Sequence, residues 1–269
     1  MQELFGRLVA AVIVAGCGLL APGQVVYQLD DGTGNNAGPG STAVGALTWG
    51  NVFDAAAGGE VITSVSVAFG GVPAGQTVTV MLFEDPNDDG DPRDGVLLSC
   101  ATALPAATLS NTFTTIPITP TRVSGKFYVA VRSLLGATRN FARLDPTPPS
   151  NAQGFRTWLF WSQGAGAQPF DGVTLTSATN QVQYTNVAVA MVRAEGRAST
   201  GCLADVAGAN QSVGADGLAT ADDVIVFLSW FFAEDARADV AGANQSGCVD
   251  GTLTADDIIV FLARFFACT

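Results

Sequence analysis

Asp205-Val-Ala-Gly-Ala-Asn-Gln-Ser212 returns, residue for residue, as Asp239-Val-Ala-Gly-Ala-Asn-Gln-Ser246. The alignment runs without a gap at a period of 34 residues, over residues 205–233 and 239–267. Each copy passes through Asp-Gly (Asp216-Gly217, Asp250-Gly251) to Thr220-Ala-Asp-Asp223 or Thr254-Ala-Asp-Asp257. An apolar run follows, closed in both copies by Phe-Phe-Ala. Val224, Phe227, Leu228 and Phe231 fall at i, i+3, i+4 and i+7, as do Ile258, Phe261, Leu262 and Phe265, which predicts one buried helix face per copy. A carboxylate-rich loop feeding a helix, made twice, is how proteins build paired calcium sites.

Local chemistry explains part of this acidity. Both Thr-Ala-Asp-Asp stretches have the form of capping boxes, with Asp where Glu or Gln is more usual. Capping and the helix dipole account for Asp222, Asp223, Asp256 and Asp257. They do not account for Asp205, Asn210 and Asp216, nor for Asp239, Asn244 and Asp250 upstream of the second helix. Oxygen ligands repeated in register are what a hard cation needs, so structural Ca2+ is the expected cofactor.

With those residues in place, residues 202–268 resemble a dockerin, the duplicated loop–helix module that binds cohesin domains in cellulose-degrading complexes. The nearest variant is the cysteine-flanked, GC-type dockerin of secreted bacterial proteins. The resemblance implies an all-α module of two calcium-loop and helix repeats. Its ligands would be Asp205, Asp216, the Leu218 carbonyl, Thr220 and Asp223 in the first copy. In the second they would be Asp239, Asp250, the Thr252 carbonyl, Thr254 and Asp257, with Asn210 and Asn244 the candidates for the remaining position. Asp205 to Asp216 is eleven steps where the standard loop takes four, so seven residues are inserted in each copy. The resemblance further implies a cohesin-like or cell-envelope partner, chosen partly through Ala221-Asp222 and Ala255-Asp256. Identical pairs in the two copies would let that partner dock in either of two orientations. Trp230, matched by Arg264 in the second copy, lies one residue off the buried stripe, and both are further candidate contacts.

The start of the chain fits export. One basic residue, Arg7, precedes an apolar stretch over residues 8–20 and then Ala21-Pro-Gly23, which reads as a secretory leader over residues 1–23. Val14-Ala-Gly-Cys17 offers a second reading, a lipobox that tethers the protein through Cys17. No later stretch is long and apolar enough to span a bilayer, so a secreted or cell-surface protein is expected. Four cysteines remain, and Cys100, Cys202, Cys248 and Cys268 allow three connectivities. Cys202 and Cys268 bracket the repeats, and a clasp between them closes a loop of about 65 residues, worth about 3–4 kcal/mol in the chain-entropy model. The pairing of Cys100 and Cys248 stays open. With no Cys-x-x-Cys and no histidine, zinc has no ligand set.

Beyond residue 200, ten acidic residues against two basic ones give −8; thirteen against nine over residues 24–199 give −4. Such a chain has no electrostatic footprint for nucleic acid. Residues 194–201, Ala-Glu-Gly-Arg-Ala-Ser-Thr-Gly, read as a linker between a domain over residues 24–193 and the module over residues 202–269.

The larger domain reads as all-β. In residues 60–69, Val61, Val65, Val67 and Phe69 face one way against Ser64 and Ser66. Further β-rich runs cover residues 78–83, 96–103, 113–118, 127–131 and 187–192, separated by Gly, Pro, Asn and Asp. Short strands with turn-rich gaps predict a β-sandwich of jelly-roll type. Asp85-Pro-Asn-Asp-Asp-Gly-Asp91-Pro-Arg-Asp94 opens like a calcium loop, so Asp85, Asn87, Asp89, Asp91 and Asp94 are candidate ligands; a polar hairpin turn is the alternative.

In Thr157-Trp-Leu-Phe-Trp161, Trp158 and Phe160 point opposite to Leu159 and Trp161. Core packing explains them, and a polysaccharide-stacking platform is the other reading. Without histidine neither a Ser-His-Asp nor a Cys-His system can be assembled. Two carboxylates beside an aromatic cleft, as glycoside hydrolysis needs, are not evident. The sequence therefore predicts a non-catalytic secreted protein whose sandwich is cargo for a docking module, with a carbohydrate-binding sandwich as the alternative.

Overall fold

Apolar alternation becomes a two-sheet sandwich in which the paired strands run antiparallel. The computed structural model describes residues 24–38, 42–136, 140–148, 156–184, 188–199, 201–214, 218–243 and 248–268. The leader expected over residues 1–23 lies outside them, as do the candidate ligands Asp216 and Asn244.

One sheet has four strands: β1 (Gln24–Tyr27), β13 (Val192–Arg197), β4 (Val61–Ala68) and β7 (Phe113–Arg122), in that spatial order. The other has six: β11 (Asn180–Tyr184), β10 (Thr157–Gln163), β3 (Ala43–Asp54), β8 (Lys126–Leu134), β5 (Val78–Glu84) and β6 (Val96–Ala103). A small third sheet joins β12 (Val189–Ala190), β9 (Ala142–Asp145) and β2 (Asn35–Ala37). Ile62, Val65, Val67, Leu47, Trp49, Phe53, Val80, Leu82, Phe127, Val129 and Val131 fill the main core.

The strand β3 runs through Gly45, Gly50 and Asn51, residues that weaken a strand pattern in sequence. Its neighbours supply the reason for them. A Cβ on Gly50 would collide with the Val129 carbonyl of β8. Asn51 is fully buried: its Nδ2 donates to the carbonyls of Ala190 (2.8 Å) and Val192 (3.0 Å), and its Oδ1 accepts from Thr157 Oγ1 (2.5 Å). A buried amide with every group satisfied fixes the register of the elements it bridges. Trp49 lies beside it at the centre of the core.

The expected fold class needs correction in its second half. The molecule is predominantly β-strand in several sheets, with two short helices near its end, and the C-terminal part is not an all-α module. The inserted residues of the first repeat form a hairpin, β14 (Ala207–Gly208) against β15 (Ser212–Val213), whose tip holds Asn210 and Gln211 at φ 60° and 61°. Seven extra residues cannot stay within one tight cation loop, and a local antiparallel pair satisfies their backbone polar groups. The helices α1 (Ala221–Phe232) and α2 (Ala255–Phe266) start where the capping boxes place them. They meet through Phe227 and Phe261, whose rings stack at 3.9 Å, with Ala204 and Ala238 beneath. Two disulfides complete the frame: Cys202–Cys268 across the ends of the repeats, and Cys100–Cys248 between edge strand β6 and the second repeat.

Candidate functional site

Asp223 and Asp257 serve as staples. Each is fully buried at the third position of its helix. Asp223 Oδ1 accepts from the backbone N–H of Val206 (2.7 Å) and Ala207 (2.8 Å), while Oδ2 accepts from Thr220 N–H (2.7 Å). Asp257 repeats the pattern with Val240 (2.8 Å), Ala241 (2.9 Å) and Thr254 (2.8 Å). A carboxylate with three N–H donors is a strong acceptor already in use, and it ties the start of each repeat to the helix that ends it. Thr220 and Thr254 complete the caps by accepting from the N–H groups of Asp222 and Asp256.

Among the described residues, the other expected ligands of the repeats are dispersed or only partly gathered. Asn210 is exposed at the hairpin tip, and Leu218 is exposed. Asp205 is buried at the base of the first repeat. Thr252 donates its N–H to Asp250 Oδ1 (2.9 Å). In the second repeat Asp239 Oδ2 accepts from Gly251 N–H (2.7 Å), whereas its Oδ1 is buried without a hydrogen-bond partner among the described residues. Burial raises the Asp239 carboxyl above its ordinary range, with the charges of Asp257 and Asp250 adding to the rise and hydrogen bonds opposing it. An orphaned oxygen beside a second carboxylate suits a cation, so Asp239 and Asp250 are the residues that would hold one there.

In the sandwich, the acidic turn between β5 and β6 converges. Asp85, Asp89 and Asp94 place ligand oxygens within 4.8 Å of one another, the one such group among the described residues. Asn87 and Asp91 are otherwise engaged. Asn87 exchanges hydrogen bonds with Asp89, and Asp91 caps the short turn Pro92–Asp94 while pairing with Arg93. That side-chain pairing holds the Asp91 carboxyl below its ordinary value.

Of the expected partner contacts, Trp230 is half-buried under the Arg237 guanidinium, 4.4 Å from the ring centroid. Arg264 is turned inward, its Nη2 donating to the Val240 carbonyl (3.4 Å), and burial lowers its pKa. It lines a crevice between sandwich and module together with Arg122, Cys202 and Cys268. The outward faces belong to other residues. Ala221, Ile225, Ser229 and Phe232 are exposed along α1, and Ala255, Ile259, Ala263 and Phe266 occupy the same register along α2. Phe232 is 77% exposed and Phe266 67%. The i, i+3, i+4, i+7 spacing marks one apolar face per helix and not this second one, although the apolar runs carry the surplus.

The aromatic strand β10 forms no exposed platform. Trp158 and Phe160 are buried and stacked, and half-buried Trp161 donates Nε1–H to Gln163 (2.9 Å) while packing on the core.

No family model matches the chain, and no curated protein matches it. Among solved structures it is similar to the cysteine protease and lectin-like domains of Cwp84, a surface layer associated protein of Clostridium difficile, at 14% identity and TM-score 0.41. A second clostridial Cwp84 structure, determined after propeptide cleavage, matches at 13% identity and TM-score 0.42. Both matches cover 67% of this chain but only 37% and 41% of those chains, so this chain spans well under half of their length. Likeness at that level assigns no activity. Among the described residues no helix is long and apolar enough to cross a membrane. Two disulfides are compatible with an oxidising, extracellular setting.

Proposed function

We propose that this chain is a non-catalytic attachment protein, in which the duplicated helix module docks a cohesin-like or cell-envelope partner and the β-sandwich is the cargo so displayed. The observation that carries this reading is the second apolar face on each helix. Ile225 and Phe232 on α1 match Ile259 and Phe266 on α2, and all four are exposed. A helix that is apolar on more than one face belongs in an interior or against a partner. Both faces carry a small residue at the middle of the stripe, Ser229 or Ala263, which lets a partner backbone approach closely. Their duplication agrees with the dockerin resemblance and with docking in either of two orientations. Asp222 and Asp256 flank the stripes, and the −8 charge of the region favours a partner with a basic rim. Calcium at Asp239 and Asp250 would brace the second repeat without touching either stripe.

The test is site-specific photocrosslinking in the producing cell, with a benzophenone amino acid at Ile225 or at Ile259, and at exposed Leu104 of the sandwich as control. Docking predicts one common adduct from Ile225 and Ile259, absent from Leu104. A ladder shared by all three positions, or no adduct from folded protein, refutes it.

A further inference from the structure

The turn between β5 and β6 contains a polar atom that nothing among the described residues satisfies. Asp85 is only 7% exposed, in contact with the end of β5, and its Oδ2 accepts from Gly90 N–H (2.7 Å). Its Oδ1 is buried and has no hydrogen-bond partner. A carboxylate oxygen left that way is costly unless something charged meets it. Lys126 is committed elsewhere: its ammonium lies 3.7 Å from Asp54 and 3.6 Å from Asp88, and its backbone N–H donates to Asp88 Oδ1. Arg93 is committed to Asp91.

The loop is shaped around the same spot. Asp88 and Gly90 both take left-handed backbone, at φ 59° and 85°, and these two reversals fold Asp89 back beside Asp85. The short turn Pro92–Asp94 then brings Asp94 round to them. The three carboxylates place oxygens within 4.8 Å of one another. Two oxygens bound to one calcium at 2.3–2.6 Å stand up to about 5 Å apart, so one ion can touch all three.

We propose that this loop is a calcium site whose protein ligands are Asp85, Asp89 and Asp94, with Asp91 and Asn87 outside the coordination sphere. Calcium rather than magnesium follows from a loop that offers carboxylates at uneven spacing instead of a rigid octahedron. The site is independent of the helical module, and its failure would leave the docking reading untouched. The ion would satisfy Asp85 Oδ1 and offset the mutual repulsion of three carboxylates. It would also hold the β5–β6 turn against the turn Leu175–Ser177, whose Thr176 borders the same hollow.

The experiment uses the full chain, stripped with EDTA and returned to millimolar calcium or magnesium. Hydrogen exchange is followed by mass spectrometry on peptides covering residues 84–96. Calcium is expected to slow exchange there by about tenfold or more, and magnesium to have little effect. Asp94→Asn, at an exposed position, should abolish the response without disturbing the fold, as should Asp89→Asn. Asp91→Asn should preserve it. No protection of this peptide by calcium overturns the proposal. Protection that survives Asp94→Asn and Asp89→Asn, or is lost with Asp91→Asn, overturns the ligand set. Calcium effects on peptides 239–257 report the second repeat and count neither way.

Discussion

Asp223→Ala separates a staple from a metal ligand. The wild-type side chain is fully buried and accepts three backbone N–H groups, from Val206, Ala207 and Thr220, all at 2.7–2.8 Å. Each buried donor left stranded costs about 1–3 kcal/mol. Ala207 is buried and bears that cost in full, whereas Val206 is half-buried and Thr220 exposed, and both recover some of it from water. The expected loss is therefore about 3–4 kcal/mol, a large share of the roughly 5–15 kcal/mol that holds a domain together. Asp223→Asn should cost about half as much: its carbonyl can keep Val206 and Ala207, while its amide faces the Thr220 donor. Denaturant unfolding of the full chain, read by helical circular dichroism, gives the size of the loss. Hydrogen exchange of peptides 203–210 and 220–232 gives its place. The loss should be the same in EDTA as in calcium, because the donors belong to the protein. A cost under about 1 kcal/mol, the scale of a single helix cap, or a loss that appears only with calcium, would refute it.

Two further perturbations bear on the second repeat. Replacing Cys100 and Cys248 with Ser opens a bridge that spans 148 residues, at about 5 kcal/mol in the chain-entropy model; faster exchange confined to β6 and residues 248–253 is expected, and unchanged exchange there would remove the bridge from the account. Asp239→Asn tests the crowded carboxyl: a raised folded pKa makes the ionised group a penalty, in full force above that pKa and gone below the ordinary value of 3.8. In EDTA the variant should melt higher than wild type at pH 7, with the gap closing as pH falls toward 3.8; a lower melting point at pH 7, or a gap that ignores pH, contradicts this.

How much was legible depends on the range of the interaction that decides each feature. The helix starts at Ala221 and Ala255 rest on contacts within four residues, and the capping boxes announce them. The strand Val96–Ala103 is read to the residue because turn formers bound it on both sides. The strand β3 is not read at all: Gly45, Gly50 and Asn51 break the local pattern, and long-range neighbours explain them, the Phe170 backbone against Gly45, β8 against Gly50 and Val192 bridged by Asn51. Trp49, uninformative in sequence, sits at the core's centre for the same long-range reason. In the acidic turn the five candidate ligands are local, yet only three converge, since Arg93 takes Asp91 from two residues away. That pairing was visible in the sequence and is a fair signal for the next such loop. The insertion in each repeat was visible too, but hairpin and extended loop have the same composition, so the all-α expectation failed there.

The two repeats are near-identical in sequence and unequal in the molecule, and the inequality comes from the sandwich. Cys248 is bonded to Cys100, and its backbone also pairs with that residue at the exposed edge of the six-stranded sheet. The first repeat has Gly214 at the corresponding position, so it has no such bond to offer. An edge strand presents unpaired backbone groups that invite association, and covering it is a standard protection. The second repeat performs that service for β6. Arg264, in the place of Trp230, turns into the crevice beside Arg122, whereas Trp230 stays at the flank under Arg237. One copy is thus the one bonded to the sandwich. The outward stripe nevertheless keeps its pattern on both helices, Ile225 and Phe232 on one and Ile259 and Phe266 on the other. Packing against the sandwich explains the differences between the copies. It does not explain an exposed feature held in common, and a shared external surface does.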